Sequence, residues 1–191
     1  MDYTRLSSRW RLPATYYQHT ELLPDGGTAD LFHLDTTSIN NHRDDQQLIW
    51  FERALASSIA TWKIVIGHHP VRSGGQHGDT EALKILLEPL LEHFGVHVYL
   101  NGHDHDLQHI TVGRTHFLTC GAAAEARPAK AVEGTKFVMG GRLGFMTARL
   151  APAAMDIAFI DQQGNSLYRT SIQSLPSETQ LLGPRKRDKA A

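Results

Sequence analysis

Two apolar runs, Trp62-Lys63-Ile64-Val65-Ile66 and Val96-His97-Val98-Tyr99-Leu100, lead directly into glycine-histidine motifs: Gly67-His68-His69-Pro70 after the first, and Gly102-His103-Asp104-His105 beyond Asn101 after the second. No other feature of the chain limits its fold so tightly. Short runs of β-branched and aromatic residues that stop at a glycine read as buried strands. Two strands that deliver imidazoles from their carboxyl ends belong in an open α/β sheet, where ligands bind in the crevice beyond those ends. A neutral imidazole is the commonest protein ligand for borderline divalent metals, and a rigid strand end aims its ring. His68, His103 and His105 are therefore candidate metal ligands. Gly67 and Gly102 remove side chains where the backbone must turn and where an anion can come close. The i, i+2 spacing of His103 and His105 either sets both rings on one side of an extended segment or, in a turning loop, offers one ring to each of two metals.

The segments around these motifs fit the same sheet. Thr15–Leu22 alternates and is rich in β formers, Pro24-Asp25-Gly26-Gly27 is a turn signal, and Ala29–Asp35 follows, so a β-hairpin is expected. Leu48, Phe51, Leu55 and Ile59 recur at helical spacing, which predicts an amphipathic helix over 44–60 capped by Asp44 or Asp45. A Gly- and Ser-rich loop over 71–78 precedes a second helix over 79–93, carrying Leu83, Leu86, Leu87, Leu90 and Leu91 and stopped by Gly95. The order strand, helix, strand, helix, strand is that of a layered α/β sheet. Beyond His105 the pattern changes to short alternating strands over 107–112, 115–119, 144–150, 155–160 and 166–172. The segment 121–142, with Pro128, reads either as a loop over the site or as disorder.

Composition narrows the classes. At 191 residues the chain is the size of one domain. Its apolar runs are about five residues long, far short of the roughly 20 needed to span a bilayer, so no membrane partner is expected. A formal net charge of -1 implies no polyanion-binding surface and no nucleic-acid partner. The basic run Pro184–Lys189 reads as part of a solvated, disordered tail over 176–191. Cys120, the single cysteine, excludes an intrachain disulfide framework and reads as a small buried apolar residue. Met1–Arg5 has no apolar core and no cleavage site, so no signal peptide is expected on the chain as given. The 12 histidines are far above ordinary usage, and most lie over 68–109, which draws attention back to the two motifs.

Gly67-His68-His69-Pro70, His77-Gly78 and Asn101-Gly102-His103-Asp104-His105-Asp106-Leu107-Gln108 resemble the later motifs of the calcineurin-like metallophosphoesterases, and more closely those of purple acid phosphatases of the small, tartrate-resistant type. Tyr3–Pro13 is similar to the segment that follows the Gly-Asn-His-Asp motif in that subfamily, and the similarity continues to about Arg169. The resemblance implies the C-terminal part of a four-layer α/β/β/α sandwich over 1–175, without its N-terminal strands and helices. It also implies hydrolysis of phosphate monoesters by a metal-bound hydroxide at a dinuclear centre of iron with zinc, iron or manganese. His68 and His103 would bind the divalent metal and His105 the iron. His77 would be the catalytic proton donor or hydrogen-bond partner of the substrate phosphate, with His69, Asn101 and Asp104 lying against the ligands or the substrate.

The same resemblance implies that an Asp motif, a Gly-Asp motif and the Gly-Asn-His-Asp motif, with the bridging carboxylate, a tyrosinate and an asparagine ligand, would precede Met1. A carboxylate bridge is what makes the close approach of two cations tolerable. Asp35, Asp104 and Asp106 are the substitutes at hand. Asp35 reads as a turn residue closing its strand, and Asp104 and Asp106 read as orienting neighbouring histidines or amides. The chain is thus expected to be a C-terminal fragment, inactive alone, with at most a partial site. The alternative is a non-catalytic metal-binding or protein-pairing module. An exposed sheet edge would pair with the missing half or with a second copy.

Overall fold

The structure, a computed structural model, describes residues 7, 9, 12–24 and 26–174. Met1–Arg5, part of the Tyr3–Pro13 segment, Asp25 of the expected turn and the tail over 176–191 lie outside the described residues. Strands β1 (Tyr17–Leu22) and β2 (Thr28–His33) form the expected hairpin, in a register running from Tyr17 opposite His33 to Leu22 opposite Thr28. Helices α1 (Thr36–His42) and α2 (Asp45–Ser57), strand β3 (Trp62–Ile66), helices α3 (Glu81–Leu86) and α4 (Glu88–His93), and strand β4 (Val98–Asn101) follow. Six more strands follow among the described residues: β5 (Leu107–Val112), β6 (Thr115–Cys120), β7 (Thr135–Met139), β8 (Gly144–Leu150), β9 (Ala154–Asp161) and β10 (Ser166–Gln173).

Seven strands make one sheet in the order β1-β2-β3-β4-β6-β5-β7, and β10-β9-β8 make a second, antiparallel sheet. The β2-β3, β3-β4 and β4-β6 pairings are parallel, which points the ends of β2, β3 and β4 to one edge. Alternation along each strand divides two cores between the faces of the larger sheet. Phe32, Val65, Tyr99 and Phe117 pack against Ile39, Phe51, Leu55, Leu83, Leu87 and Leu91 of the helices. Their neighbours Ile64, Val98 and Leu118 face Met155, Ile157, Phe159 and Ile172 of the smaller sheet. Among the described residues the layers are thus helices, large sheet and small sheet, and the outer face of the small sheet exposes Phe145, Thr147, Arg149, Asp156, Arg169 and Ser171. No helix of the described residues is long and apolar enough to cross a membrane.

Local chemistry explains where the elements begin and end. Asp44 caps α2 by accepting from the amide of Gln47 at 3.1 Å, and Gln47, Phe51, Ala54 and Leu55 are buried. The second expected helix is two: it breaks at Leu87, because Pro89 in the first turn of α4 has no amide to continue the ladder. Helix α1 was not visible as a periodic pattern, since Ile39 is its sole apolar residue. Asp35, expected to close its strand as a turn residue, instead caps α1 through the amide of Ser38 at 3.0 Å. The segment 121–142 divides into a covering stretch and β7, which pairs with β5. Cys120 is partly buried, and that burial raises its thiol pKa.

Candidate metal centre

The site forms where the parallel strands end. Gly67 donates to the carbonyl of Leu100 at 3.0 Å and Gly102 to the carbonyl of His68 at 3.2 Å, so the two motifs stay in register past their strands. A Cβ on Gly67 would lie 2.5 Å from both Thr36 Cγ2 and the Tyr99 hydroxyl, so only glycine fits that approach. A Cβ on Gly102 would meet nothing within 4 Å, which leaves open space beside the histidines. His103 has φ 64°, and the amide of Asp104 reaches back across it to the carbonyl of Gly102 at 2.8 Å. A non-glycine residue in so tight a turn is strained. The turn separates the two rings of the motif: His103 faces His68, and His105 faces Glu125.

His103 Nδ1 lies 3.0 Å from His68 Nε2. Two imidazole nitrogens at that distance share one proton, and a cation that replaces the proton takes both lone pairs. The ring of His77 lies 4.3 Å from that of His103, centroid to centroid. His69 joins the group, since ligand atoms of His68, His69 and His103 all lie within 4.8 Å of one another. Hydrogen-bond counting separates His69 from the other two. Thr36 Oγ1 accepts from the amides of His68 at 3.2 Å and His69 at 3.1 Å, which uses its two lone pairs. Its proton therefore goes to His69 Nδ1, 3.0 Å away, and the His69 proton sits on Nε2. His69 is thus a donor at Nε2, which leaves His68 and His103 as the candidate ligand pair of this group. Burial first, and the neighbouring histidines next, hold the pKa values of His69 and His103 below the ordinary imidazole value, which keeps these rings neutral.

Beneath the histidines lies a buried polar network. Asp104 Oδ1 accepts from the amide of His77 at 3.0 Å and from His77 Nδ1 at 2.7 Å. Asp104 Oδ2 accepts from the hydroxyl of Ser73. Gln108 donates to Ser73 Oγ at 3.0 Å and to Asp106 Oδ1 at 2.7 Å, and its own carbonyl accepts from the amide of Gly74 at 2.8 Å. Among the described residues Asp106 Oδ2 is buried without a hydrogen-bond partner, and burial pushes the carboxyl up to about 6. Asp104 and Asp106 thus act on neighbouring groups, and Asp35 caps a helix. Asn101 turns inward, donating to the carbonyl of Gly102 and to Thr119 Oγ1, both at 3.0 Å.

His105 stands apart from the other ligand candidates. Its Nδ1 lies 2.9 Å from Glu125 Oε2, and Arg127 grips the same carboxylate. Beside Glu125 opens a cavity of about 490 Å³ lined also by Arg142, Gln162 and Gln163. Thr36, Ser73, Glu125 and Arg127 were not singled out from the sequence, and Gln108 entered only as the last residue of the motif that begins at Asn101. Thr36 had a signal there, in following a residue able to cap a helix.

Residues 3–107 match the family model of the calcineurin-like phosphoesterases, a span that holds His68, His69, His77, His103 and His105. The chain is 33% identical over 190 residues to purple acid phosphatase 4 of Arabidopsis thaliana, covering 86% of this chain and 54% of that protein. It is 31% identical over 206 residues to tartrate-resistant acid phosphatase type 5 of Mus musculus, covering 91% of this chain and 62% of that protein. The chain therefore spans between about half and three fifths of the length of these curated relatives. Among solved structures, GAP50, the anchor in the inner membrane complex of Plasmodium, superposes with a TM-score of 0.82 at 20% identity, covering 89% of this chain and 58% of that one. Purple acid phosphatase PPD1 of yellow lupin superposes with a TM-score of 0.70 at 17% identity, covering 86% and 34%. These two likenesses concern the fold.

Proposed function

We propose, from the premise that this chain belongs to the calcineurin-like phosphoesterase family, that its histidine centre holds a divalent cation through His68 Nε2 and His103 Nδ1 and serves the hydrolysis of phosphate monoesters. The 3.0 Å approach of those two nitrogens at adjacent strand ends carries the reading. The donor set fits a zinc, iron or manganese ion, since nitrogen ligands do not separate these strongly. Such an ion, when bound, neutralises phosphate charge and makes a water molecule more acidic.

The chain's own residues supply the rest. Asp104 accepts a hydrogen bond from His77 Nδ1 and orients the ring, whose protonated Nε2 would give its proton to the departing alcohol oxygen. The Nε2–H of His69 is a hydrogen-bond donor for a phosphate oxygen, and the open space at Gly102 leaves that oxygen room to approach. His105 is the candidate ligand for a second cation. Among the described residues no carboxylate joins the group of His68, His69 and His103, so nothing in it bridges two cations. The chain alone is accordingly expected to bind one cation tightly and to turn over phosphate esters slowly or not at all.

Calorimetric titration with zinc tests the centre. One equivalent should bind, with binding lost in His103→Ala; a chain that takes up no zinc contradicts the reading. Assay of p-nitrophenyl phosphate with iron and zinc tests the rest, and turnover at rates typical of the family would overturn the expectation of an inactive chain. A second reading, a cation-binding module that pairs with another chain, is favoured by the free edges of the small sheet, where β8 and β10 each pair only with β9 among the described residues. A monomer in solution with no exposed apolar surface counts against it.

A further inference from the structure

We propose that Glu125, held by Arg127, is the positioning residue for His105: it accepts a hydrogen bond from the Nδ1–H of that ring and leaves Nε2 as the nitrogen with a free lone pair. The role assigned to the lone pair rests on the cation reading above; the tautomer itself does not. A carboxylate has no proton to give, so in the 2.9 Å contact between Glu125 Oε2 and His105 Nδ1 the imidazole must be the donor. Which nitrogen of a histidine carries the proton is set by the bond the other makes, and a ligating histidine commonly gives its second N–H to a carboxylate or carbonyl. Left to itself a neutral imidazole prefers the proton on Nε2, which would block that nitrogen as a ligand.

The carboxylate is itself fixed. Arg127 donates from Nε to Glu125 Oε1 at 2.9 Å and from Nη2 to Oε2 at 3.1 Å, a fork that sets the plane of the carboxylate. The backbone of Arg127 is tied on both sides. Its amide donates to the carbonyl of His105 at 2.8 Å, and its carbonyl accepts from the amide of Gly141 at 2.9 Å. Its remaining arm reaches Gln76 Oε1 at 3.0 Å, one residue before His77. Three residues on, the amide of Lys130 donates to the carbonyl of Gly74 at 2.9 Å. A Cβ on Gly74 would lie 1.9 Å from the carbonyl oxygen of Lys130, so the two backbones meet only because position 74 has no side chain. The stretch 125–130 is thus a strap that joins the turn carrying His105 to the loop carrying His77, and Glu125 is its contact with a ligand candidate.

Proton–nitrogen correlation spectra of the metal-free full chain, recorded above the imidazole titration range, read the tautomer of each ring. His105 should be the Nδ1–H form in the parent chain. Glu125→Ala should shift its tautomer ratio about tenfold toward Nε2–H, the low end for losing a hydrogen bond to a charged acceptor. Glu125→Gln keeps an acceptor and should retain the Nδ1–H form, and Arg127→Ala should give a ratio between the two. His77, whose tautomer Asp104 sets, should not change in any of them, which a general loss of structure would not permit. An Nε2–H His105 in the parent chain overturns the proposal without any variant, as does an unchanged ratio in Glu125→Ala. Zinc calorimetry on the parent chain separates the two readings: a chain that binds no zinc sinks the cation site, whereas the tautomer measurement alone decides for or against Glu125 as the residue that sets the ring.

Discussion

In Asp104→Asn one carboxylate oxygen becomes an amide nitrogen at a side chain with 0% exposure. Among the described residues every hydrogen bond at the Asp104 carboxylate runs toward it: the amide and Nδ1 of His77 donate to Oδ1, and the Ser73 hydroxyl donates to Oδ2. Ser73 cannot reverse its role, because its oxygen already accepts from the amide of Gly75 at 2.9 Å and from Gln108 at 3.0 Å. An asparagine that keeps its oxygen toward His77 therefore presses an NH2 group against a hydroxyl with no lone pair left. One that flips presses it against two N–H donors instead. Either way a hydrogen bond to a charged group is lost, worth roughly 1.5–3 kcal/mol, and a buried donor is left without a partner at roughly 1–3 kcal/mol more. Relief of the repulsion between Asp104 and Asp106 offsets part of this, so a net loss of about 3–4 kcal/mol is expected. In a chain of 191 residues that lowers the melting temperature by about 10 °C. Urea unfolding of the metal-free chain at neutral pH measures it, and a variant within about 1 kcal/mol of the parent at unchanged slope would refute the hydrogen-bond count.

Three further outcomes are expected. Burial holds His97 and His109 each down to about 4, from an ordinary 6.5, so the unfolded chain binds more protons between those values. Their contribution, at most roughly 3 kcal/mol each, is fully present above pH 6.5 and lost as pH falls toward 4. Asp106, raised to about 6, acts in the opposite sense and adds its cost as pH rises from about 4, so the net loss on acidification should be about 2–5 kcal/mol by urea midpoints; flat stability over this range contradicts the burial of both rings. Thr36→Val keeps the side-chain shape but strands the amides of His68 and His69, and should cost about 2–4 kcal/mol together with at least a tenfold loss in zinc affinity by calorimetry. Gly74→Ala should push the strap off the His77 loop and cost about 1–3 kcal/mol in thermal unfolding, with faster amide exchange at Lys130 as its local signature.

What was legible in the sequence was what local patterning encodes. The β1-β2 hairpin, α2, β3, β4 and the small sheet all carry alternating or helical periodicity strong enough to read without tertiary information. Helix α1 does not. Thr36, Thr37, Ser38, Asn40, Asn41 and His42 are indifferent helix formers, and the helix is held by the Asp35 cap and by Ile39, 1% exposed in the core. Strand β7 is only partly buried and depends on its partner β5, so its own sequence signals little. The site divides in the same way. Gly67-His68 and Gly102-His103 announce themselves as motifs, whereas Thr36 meets His68 across 32 residues and Glu125 meets His105 across 20, contacts that only the folded chain creates.

Several features at this edge of the sheet work against stability. His103 occupies a backbone conformation that costs on the order of 1–3 kcal/mol and that glycine would adopt freely. Asp106 keeps a buried oxygen that has no hydrogen-bond partner among the described residues. The strained turn acquires a purpose in the contact it creates, His103 Nδ1 against His68 Nε2, since an extended residue 103 would not reverse the chain toward the neighbouring strand end. The proposed cation at those nitrogens would favour the folded chain, by up to about 2.7 kcal/mol when present at a hundred times its dissociation constant. That is the size of the strain. The unfavourable turn and the proposed ligand pair are therefore coupled, and relieving the first with glycine at 103 removes the imidazole that makes the second.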